Sequence, residues 1–310
     1  MKAIVLNEAG GIDNLTYQDI EKPILKSGEI LVKVKDIGMN PMDVHIRSNE
    51  QILTMFMGSD RPVILGWDIS GDVVEKADDV TDFKIGDAVF GATMGKGYAE
   101  YVATKTDRFV RKPANITYQE AAALPVVGIT AWEALVVLGK VKKGDKVLIH
   151  AGSGGVGHIA IQLAKHLGAK VIATSSAKNR DFILSLGADQ HIDYTTENFY
   201  EVLSDIDFVL DPLGGETRIQ SVDVVKKGGI IVSIVPLNFE EAQKKAQEKG
   251  INLIILRGQG NKEEMESLAG LLSKGIIKPH VTAVYPFAQM KEAHLAIESK
   301  RTVGKIVVEL

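Results

Sequence analysis

Along the first 117 residues, apolar and polar positions alternate in runs short enough to be strands. Ile30, Val32 and Val34 fall on one side, and Leu31, Lys33 and Lys35 on the other. Further runs lie at Lys2–Leu6, Gly71–Glu75, Ala88–Phe90, Tyr98–Ala103 and Phe109–Arg111, parted by turns such as Lys84-Ile-Gly-Asp87 and Met94-Gly-Lys-Gly97. Many short strands joined by glycine turns predict a small β-barrel-like domain. From residue 118 the pattern changes. Thr117 and Glu120 make a capping-box signature, and Gly128–Leu138 reads as a buried helix. Short runs that read as strands then alternate with helical stretches. The runs are Val147–His150, Val171–Thr174, His191–Asp193, Asp207–Leu210, Ile230–Val235 and Asn252–Leu256; the helices include Glu197–Ser204 and Phe239–Lys249. This alternation predicts an α/β fold with a doubly wound parallel sheet. After residue 257 it stops: Glu263–Leu272 and the stretch carrying Phe287, Met290, Ala293, His294 and Ile297 are helical, and Val303–Leu310 is a strand. The tail is expected to rejoin the first segment, giving one domain from 1–117 and 258–310 with 118–257 inserted.

The first strand of the inserted part runs into Ala151-Gly-Ser-Gly-Gly-Val-Gly157 and then into a helical repeat at Ile159, Leu163 and Leu167. Gly152, Gly154 and Gly157 give the G-x-G-x-x-G spacing in strand–turn–helix context, with Gly155 and Val156 inside it. Such a turn lets a pyrophosphate approach the backbone while the helix N-terminus offers free N–H groups. Sites for NAD place an acid about 20 residues further on, against the ribose 2′-hydroxyl. Here that stretch is Thr174-Ser-Ser-Ala-Lys-Asn-Arg180. Ser175, Ser176 and Lys178 suit a 2′-phosphate, so NADPH is the expected cofactor. The plainer alternative is that Lys178 and Arg180 begin a solvated helix.

Composition narrows the function classes. The chain has 310 residues, 45% apolar and 25% charged, with a net charge of −4. That balance argues against a nucleic-acid partner, which requires a basic face. With no cysteine there are no disulfides, thiolate metal sites or cysteine nucleophiles. No run of about 18 apolar residues suggests a membrane span, and a cytoplasmic location is expected. One irregular stretch, Gly38-Met-Asn-Pro-Met-Asp-Val-His-Ile-Arg47, carries Asn40, Asp43, His45 and Arg47 between apolar strands. Pro41 is expected to resist a helix through Asn40. These polar groups either serve a function or satisfy turn backbone.

Read in order, Asn40-Pro-Met-Asp43, Leu65-Gly-Trp-Asp-Ile-Ser-Gly71, Phe83-Lys-Ile-Gly-Asp87, Tyr98-Ala-Glu-Tyr101, Ala151–Gly157, Ser185-Leu-Gly-Ala-Asp189 and Arg301-Thr-Val-Gly-Lys305 resemble the medium-chain dehydrogenase/reductases. The likeness is to the zinc-independent quinone oxidoreductase branch, nearest the alkenal and enone reductases. It implies a GroES-like domain built from both chain ends plus an inserted Rossmann domain. It also implies NADPH at Gly154–Gly157, with the 2′-phosphate near Ser175, Lys178 and Tyr194, and assigns Arg301 to the cofactor. Asn40 and Thr130 match positions near the nicotinamide and the substrate, and His45 stands where many relatives carry tyrosine. Zinc-dependent relatives have Cys at the Asn40 position and His at that of Trp67, so no catalytic metal is expected. The implied activity is hydride transfer from NADPH to a small-molecule acceptor, a quinone or α,β-unsaturated carbonyl, by a homodimer. An enoyl-thioester reductase and a non-catalytic NADPH-binding protein are the alternatives.

Overall fold

The computed structural model describes residues 1–236 and 239–310. Its chain divides into two compact units, Met1–Val126 with Asn261–Leu310, and Val127–Gly260. These limits enclose the helix Tyr118–Ala122 in the first unit. Two contacts hold it there: the Ser70 hydroxyl donates to the Tyr118 carbonyl at 2.7 Å, and Gly38 packs on the Ala122 carbonyl.

The first unit is organised by the strand Glu29–Gly38, whose inward residues Ile30, Val32, Val34 and Ile37 are buried. It pairs antiparallel with Asp68–Lys76 along its length, with Tyr101–Lys105 at its start and with Lys305–Glu309 at its end. The seven-stranded sheet continues to Ala88–Ala92 and Phe109–Arg111 on one side and Val281–Pro286 on the other. The last strand of the chain therefore joins the sheet beside its third, bringing Lys305 next to the segment that follows Gly38. That segment departs from the expected irregular loop. Pro41–Ser48 is a helix, with Asn40 in extended conformation as its N-cap and Pro41 at its first position. A proline there forfeits an N–H that has no intrahelical acceptor, so it starts the helix rather than breaking it.

The second unit is a parallel sheet in the order Gln190–Asp193, Lys170–Ser175, Lys146–Ile149, Ile206–Asp211, Val225–Ser233, Asn252–Ile255. Helices separate the strands in sequence, and Val147, Leu148, Ile149, Val209 and Leu210 are fully buried, as sheets covered on both faces require. The strand order reverses between Lys146–Ile149 and Ile206–Asp211, the switch point where such sheets hold ligands. Two expectations are corrected. The helix placed at Glu197–Ser204 is only Phe199–Val202, and the strand placed at Asn252–Leu256 is Asn252–Ile255, at the edge of the sheet.

Candidate cofactor and substrate sites

The glycine turn follows the strand Lys146–Ile149 at the switch point and opens the helix Gly155–His166. Ala151 sits in the left-handed region, at φ 49°, to start the turn. A Cβ on Gly157 would lie 2.3 Å from the Ala151 carbonyl oxygen, and one on Gly152 would lie 2.9 Å from Ala173 Cβ. Gly154 is the N-cap and supplies no side-chain acceptor. The N–H groups of Gly155, Val156 and Gly157 begin the helix and have no carbonyl one turn behind them. The result is a pocket of backbone donors backed by close-packed backbone, which fits a pyrophosphate.

One strand outward lies the loop after Lys170–Ser175. Lys178 and Tyr194 are exposed and Ser176 half-exposed, whereas Ser175 is 2% exposed. The Ser175 hydroxyl lies 2.9 Å from His191 Nε2 and donates to the Ser176 carbonyl at 3.1 Å. Its chemistry is thus taken up inside the protein. Parallel pairing also sets Asp193 opposite Ser175, an acid that the linear spacing does not show. Its carboxylate accepts from the Thr195 hydroxyl at 2.8 Å and the Thr195 N–H at 3.0 Å, and these bonds hold it below the usual carboxylate range.

The other side of the switch point is braced by residues that the linear pattern did not single out. Asp211 ends its strand fully buried, paired with Arg218 at 2.7 Å. Asp211 Oδ1 accepts the N–H groups of Leu213 and Gly214 at 3.0 and 2.8 Å, which fixes the Leu210-Asp-Pro-Leu-Gly-Gly215 turn. His150, on the neighbouring strand end, lies 3.0 Å from the Ser221 hydroxyl and 3.2 Å from that of Thr174. Burial pushes its pKa down to about 4, so the ring is neutral. Thr130, in the helix Pro125–Trp132, is half-buried.

In the first unit, Asn40 is buried at the centre of a polar cluster. Its side-chain NH₂ donates to Asp68 Oδ2 at 3.0 Å and to the Gly38 carbonyl at 3.3 Å. Its Oδ1 accepts from Lys305 Nζ at 2.6 Å, and its backbone N–H donates to Asp43 Oδ2 at 2.8 Å. The Lys305 ammonium also reaches the Met39 carbonyl at 2.7 Å and Asp68 at 3.4 Å. Asp68 Oδ1 in turn accepts the Val126 N–H at 2.8 Å. Burial raises the pKa of Asp43 to about 7, against the pull of the Asn40 N–H and Lys305. Burial also lowers that of Lys305, which Asp68 and Asp43 counteract. Beyond Asp43, the buried Tyr98 hydroxyl lies 3.1 Å from His294 Nε2; burial, with Arg47 nearby, lowers His294 to about 3. His294 is therefore a packed residue.

His45 lies on the same helix as Asp43 but is exposed and outside this cluster. Arg301 is exposed in the turn before Lys305–Glu309, its N–H donating to the Ser299 hydroxyl at 3.2 Å. Trp67 is buried and meets Phe56 edge-on at 6.0 Å, while Met55 and Phe56 leave the helix Glu50–Met57 exposed. Among the described residues, no three His, Cys, Asp or Glu side chains are grouped to hold a metal ion, and no helix is long and apolar enough to cross a membrane.

A parallel sheet with a dinucleotide turn at its switch point, carried with a mostly antiparallel unit made from both chain ends, defines a nucleotide-dependent dehydrogenase or reductase. Residues 26–137 match the alcohol dehydrogenase GroES-like domain, and residues 186–308 match a zinc-binding dehydrogenase domain. The NADPH-dependent alkenal/one oxidoreductase of Arabidopsis thaliana is 32% identical over 322 residues, covering 99% of this chain and 79% of that protein. The quinone oxidoreductase of Coxiella burnetii superposes with a TM-score of 0.94 at 36% identity, over 100% of this chain and 99% of that one. The Escherichia coli quinone oxidoreductase, solved with NADPH, gives 0.89 at 28% identity over the whole of both chains. The chain belongs to the medium-chain dehydrogenase/reductase superfamily, in its quinone oxidoreductase branch.

Proposed function

We propose that this chain is an NADPH-dependent oxidoreductase that transfers hydride to quinones and to α,β-unsaturated aldehydes and ketones, without zinc. The observation that carries the reading is the open row of backbone donors at Gly155–Gly157, joined to a ribose loop of hydroxyls and a cation. In this reading Gly152, Gly154, Gly155, Val156 and Gly157 hold the pyrophosphate, and Ser176, Lys178 and Tyr194 face the 2′-phosphate. Thr130 lies by the nicotinamide. When bound, NADPH supplies the hydride.

The acceptor chemistry follows from the first unit. A metal would polarise a carbonyl directly, but the donor set here does not suit one. An ammonium already occupies the acceptors of Asn40, Met39 and Asp68, and Trp67 offers no ligand lone pair. Conjugated acceptors need less help, because the incoming negative charge spreads to a distant oxygen. Asn40 and its cluster keep the start of the Pro41–Ser48 helix rigid on the acceptor side. His45, exposed on that helix, returns the proton to a reduced enone. The open sheet edge at Asn252–Ile255, with Ile254 and Ile255 half-buried, supports a homodimer paired along it.

The test is NADPH oxidation over a panel of quinones, enals, enones and enoyl thioesters. Turnover is expected with quinones and enones. Preference for enoyl thioesters, or NADPH binding without oxidation by any acceptor, would overturn the reading.

A further inference from the structure

The residues facing the 2′-phosphate stand on a loop that is braced from two sides. On the outer side, the neighbouring strand Gln190–Asp193 runs parallel to Lys170–Ser175, with His191 opposite Ala173 and Asp193 opposite Ser175. Register therefore brings the His191 ring to the end of the strand that carries Ser175, with Nε2 at 2.9 Å from the hydroxyl. That hydroxyl has one hydrogen, and its contact with the Ser176 carbonyl at 3.1 Å uses it, since a carbonyl oxygen can only accept. The Ser175 oxygen must then accept from His191, which places a proton on Nε2. The Ser176 carbonyl also accepts the Asn179 N–H at 2.9 Å. On the inner side, the Asn179 side chain donates to the Ser153 hydroxyl at 3.0 Å, inside the glycine turn. A continuous chain of bonds thus runs from His191 through Ser175, Ser176 and Asn179 to Ser153. Between its ends it presents Lys178, exposed and in no ion pair among the described residues, while the next cation, Arg180, has Asp181 at 3.7 Å.

We propose that His191 and Asn179 are positioning residues for the choice of NADPH over NADH. They touch no phosphate themselves. His191 locks Ser175 as a strut rather than a ligand, and Asn179 ties the loop to the pyrophosphate turn. Ser176 and Lys178 are thereby held in place before the cofactor arrives. A preordered loop does not lose its freedom again on binding. Because Ser176 and Lys178 act on the 2′-phosphate, which NADH lacks, the gain falls mainly on NADPH. The inference rests on the proposed NADPH-dependent function and adds the residues that enforce it.

The experiment is equilibrium binding of NADPH and of NADH, followed by nicotinamide fluorescence, to the wild-type protein, His191→Phe, His191→Gln and Asn179→Ala. The wild type is expected to prefer NADPH. His191→Phe keeps ring bulk but removes the N–H, and is expected to weaken NADPH about tenfold, with NADH changed less than about twofold. Asn179→Ala should act in the same sense without touching the strand, which keeps the test open if His191→Phe fails to fold. His191→Gln restores a donor and should recover NADPH affinity to within about threefold of wild type. Equal weakening of both cofactors would make these residues merely structural, and unchanged NADPH affinity in both His191→Phe and Asn179→Ala would also overturn the inference. A wild-type protein that binds NADH as tightly as NADPH would instead overturn the NADPH reading itself, and the inference with it.

Discussion

At the glycine turn the first three N–H groups of the Gly155–His166 helix point away from any intrahelical partner, whereas around Lys305 the polar groups answer one another. Both amide hydrogens of Asn40, its carbonyl oxygen and its backbone N–H are engaged within the protein. The first arrangement is ready to take up an anion. The second is a finished, internally neutralised structure that holds a helix start in place. A binding site keeps its donors unsatisfied at a cost in stability, and a scaffold satisfies them. In this chain the cofactor half follows the first design and the acceptor half the second. In the proposed reading, an exposed His45 and a conjugated acceptor serve on a side where the Asn40 amide and the Lys305 ammonium are already engaged within the protein.

The largest effect should come from breaking the saturated cluster. Lys305→Met leaves Asp68 buried without its cation and strips Asn40 Oδ1 and the Met39 carbonyl of their donor. It should lower unfolding free energy by about 3–5 kcal/mol in urea titration. Adding Asp68→Asn should recover much of the loss. A single-variant cost below about 1 kcal/mol would mean the ammonium is not the keystone described.

The two units should also respond oppositely to pH through one group each. Asp43 is raised by burial from 3.8 to about 7, so its contribution to stability is full below about pH 4 and is lost as pH rises through about 7. His150 is lowered by burial from 6.5 to about 4, so its contribution is present above about pH 6.5 and is lost as pH falls through about 4. Each is expected to amount to on the order of 3 kcal/mol across its window. The two slopes oppose each other between about pH 4 and 6.5, so in melting curves Asp43→Asn should leave stability rising with pH across that range and His150→Asn should leave it falling. Parallel curves for wild type and both variants would refute the assignment.

Next in size, Gly157→Ala forces a methyl group to within 2.3 Å of the Ala151 carbonyl oxygen and distorts the open turn. NADPH binding should weaken about a hundredfold, or nearly 3 kcal/mol. An alanine variant that binds normally would show that the turn does not hold the pyrophosphate.

The smallest effect is that of His45 on quinone reduction. Replacing it by phenylalanine should change quinone reduction by less than about twofold, the scale of an exposed substitution. Enone reduction should slow by about a hundredfold if the ring donates the proton. Equal rates with both acceptors would assign the proton to water.

The contrast also marks what could be read from the chain. The glycine turn was legible because all its parts are contiguous, and the parallel sheet because most of its strands carry a short apolar run between helical stretches. The Asn40 cluster was legible only as a polar stretch. Its partners stand 28 positions away at Asp68 and 265 away at Lys305, and only the sheet register unites them. Pro41 does keep a helix from running through Asn40, which is extended, but the linear pattern did not show that the same residue starts a helix at its own position. Arg218 and His150 were missed because a lone charge or imidazole on an apolar element has no signature until its buried partner is known. Ser175 was expected to meet a 2′-phosphate, whereas pairing with the next strand buries it against His191.

In the proposed reading, the preorganised ammonium–amide cluster at Asn40 and Lys305 stands where zinc-dependent relatives would place a metal, and turnover needs none. The direct measurement is NADPH oxidation by quinone and enone on one chelator-treated sample whose zinc content is determined by elemental analysis. Undiminished turnover at less than about 0.05 zinc per chain is the expected result. Activity that vanishes with the metal and returns on stoichiometric zinc would contradict the account.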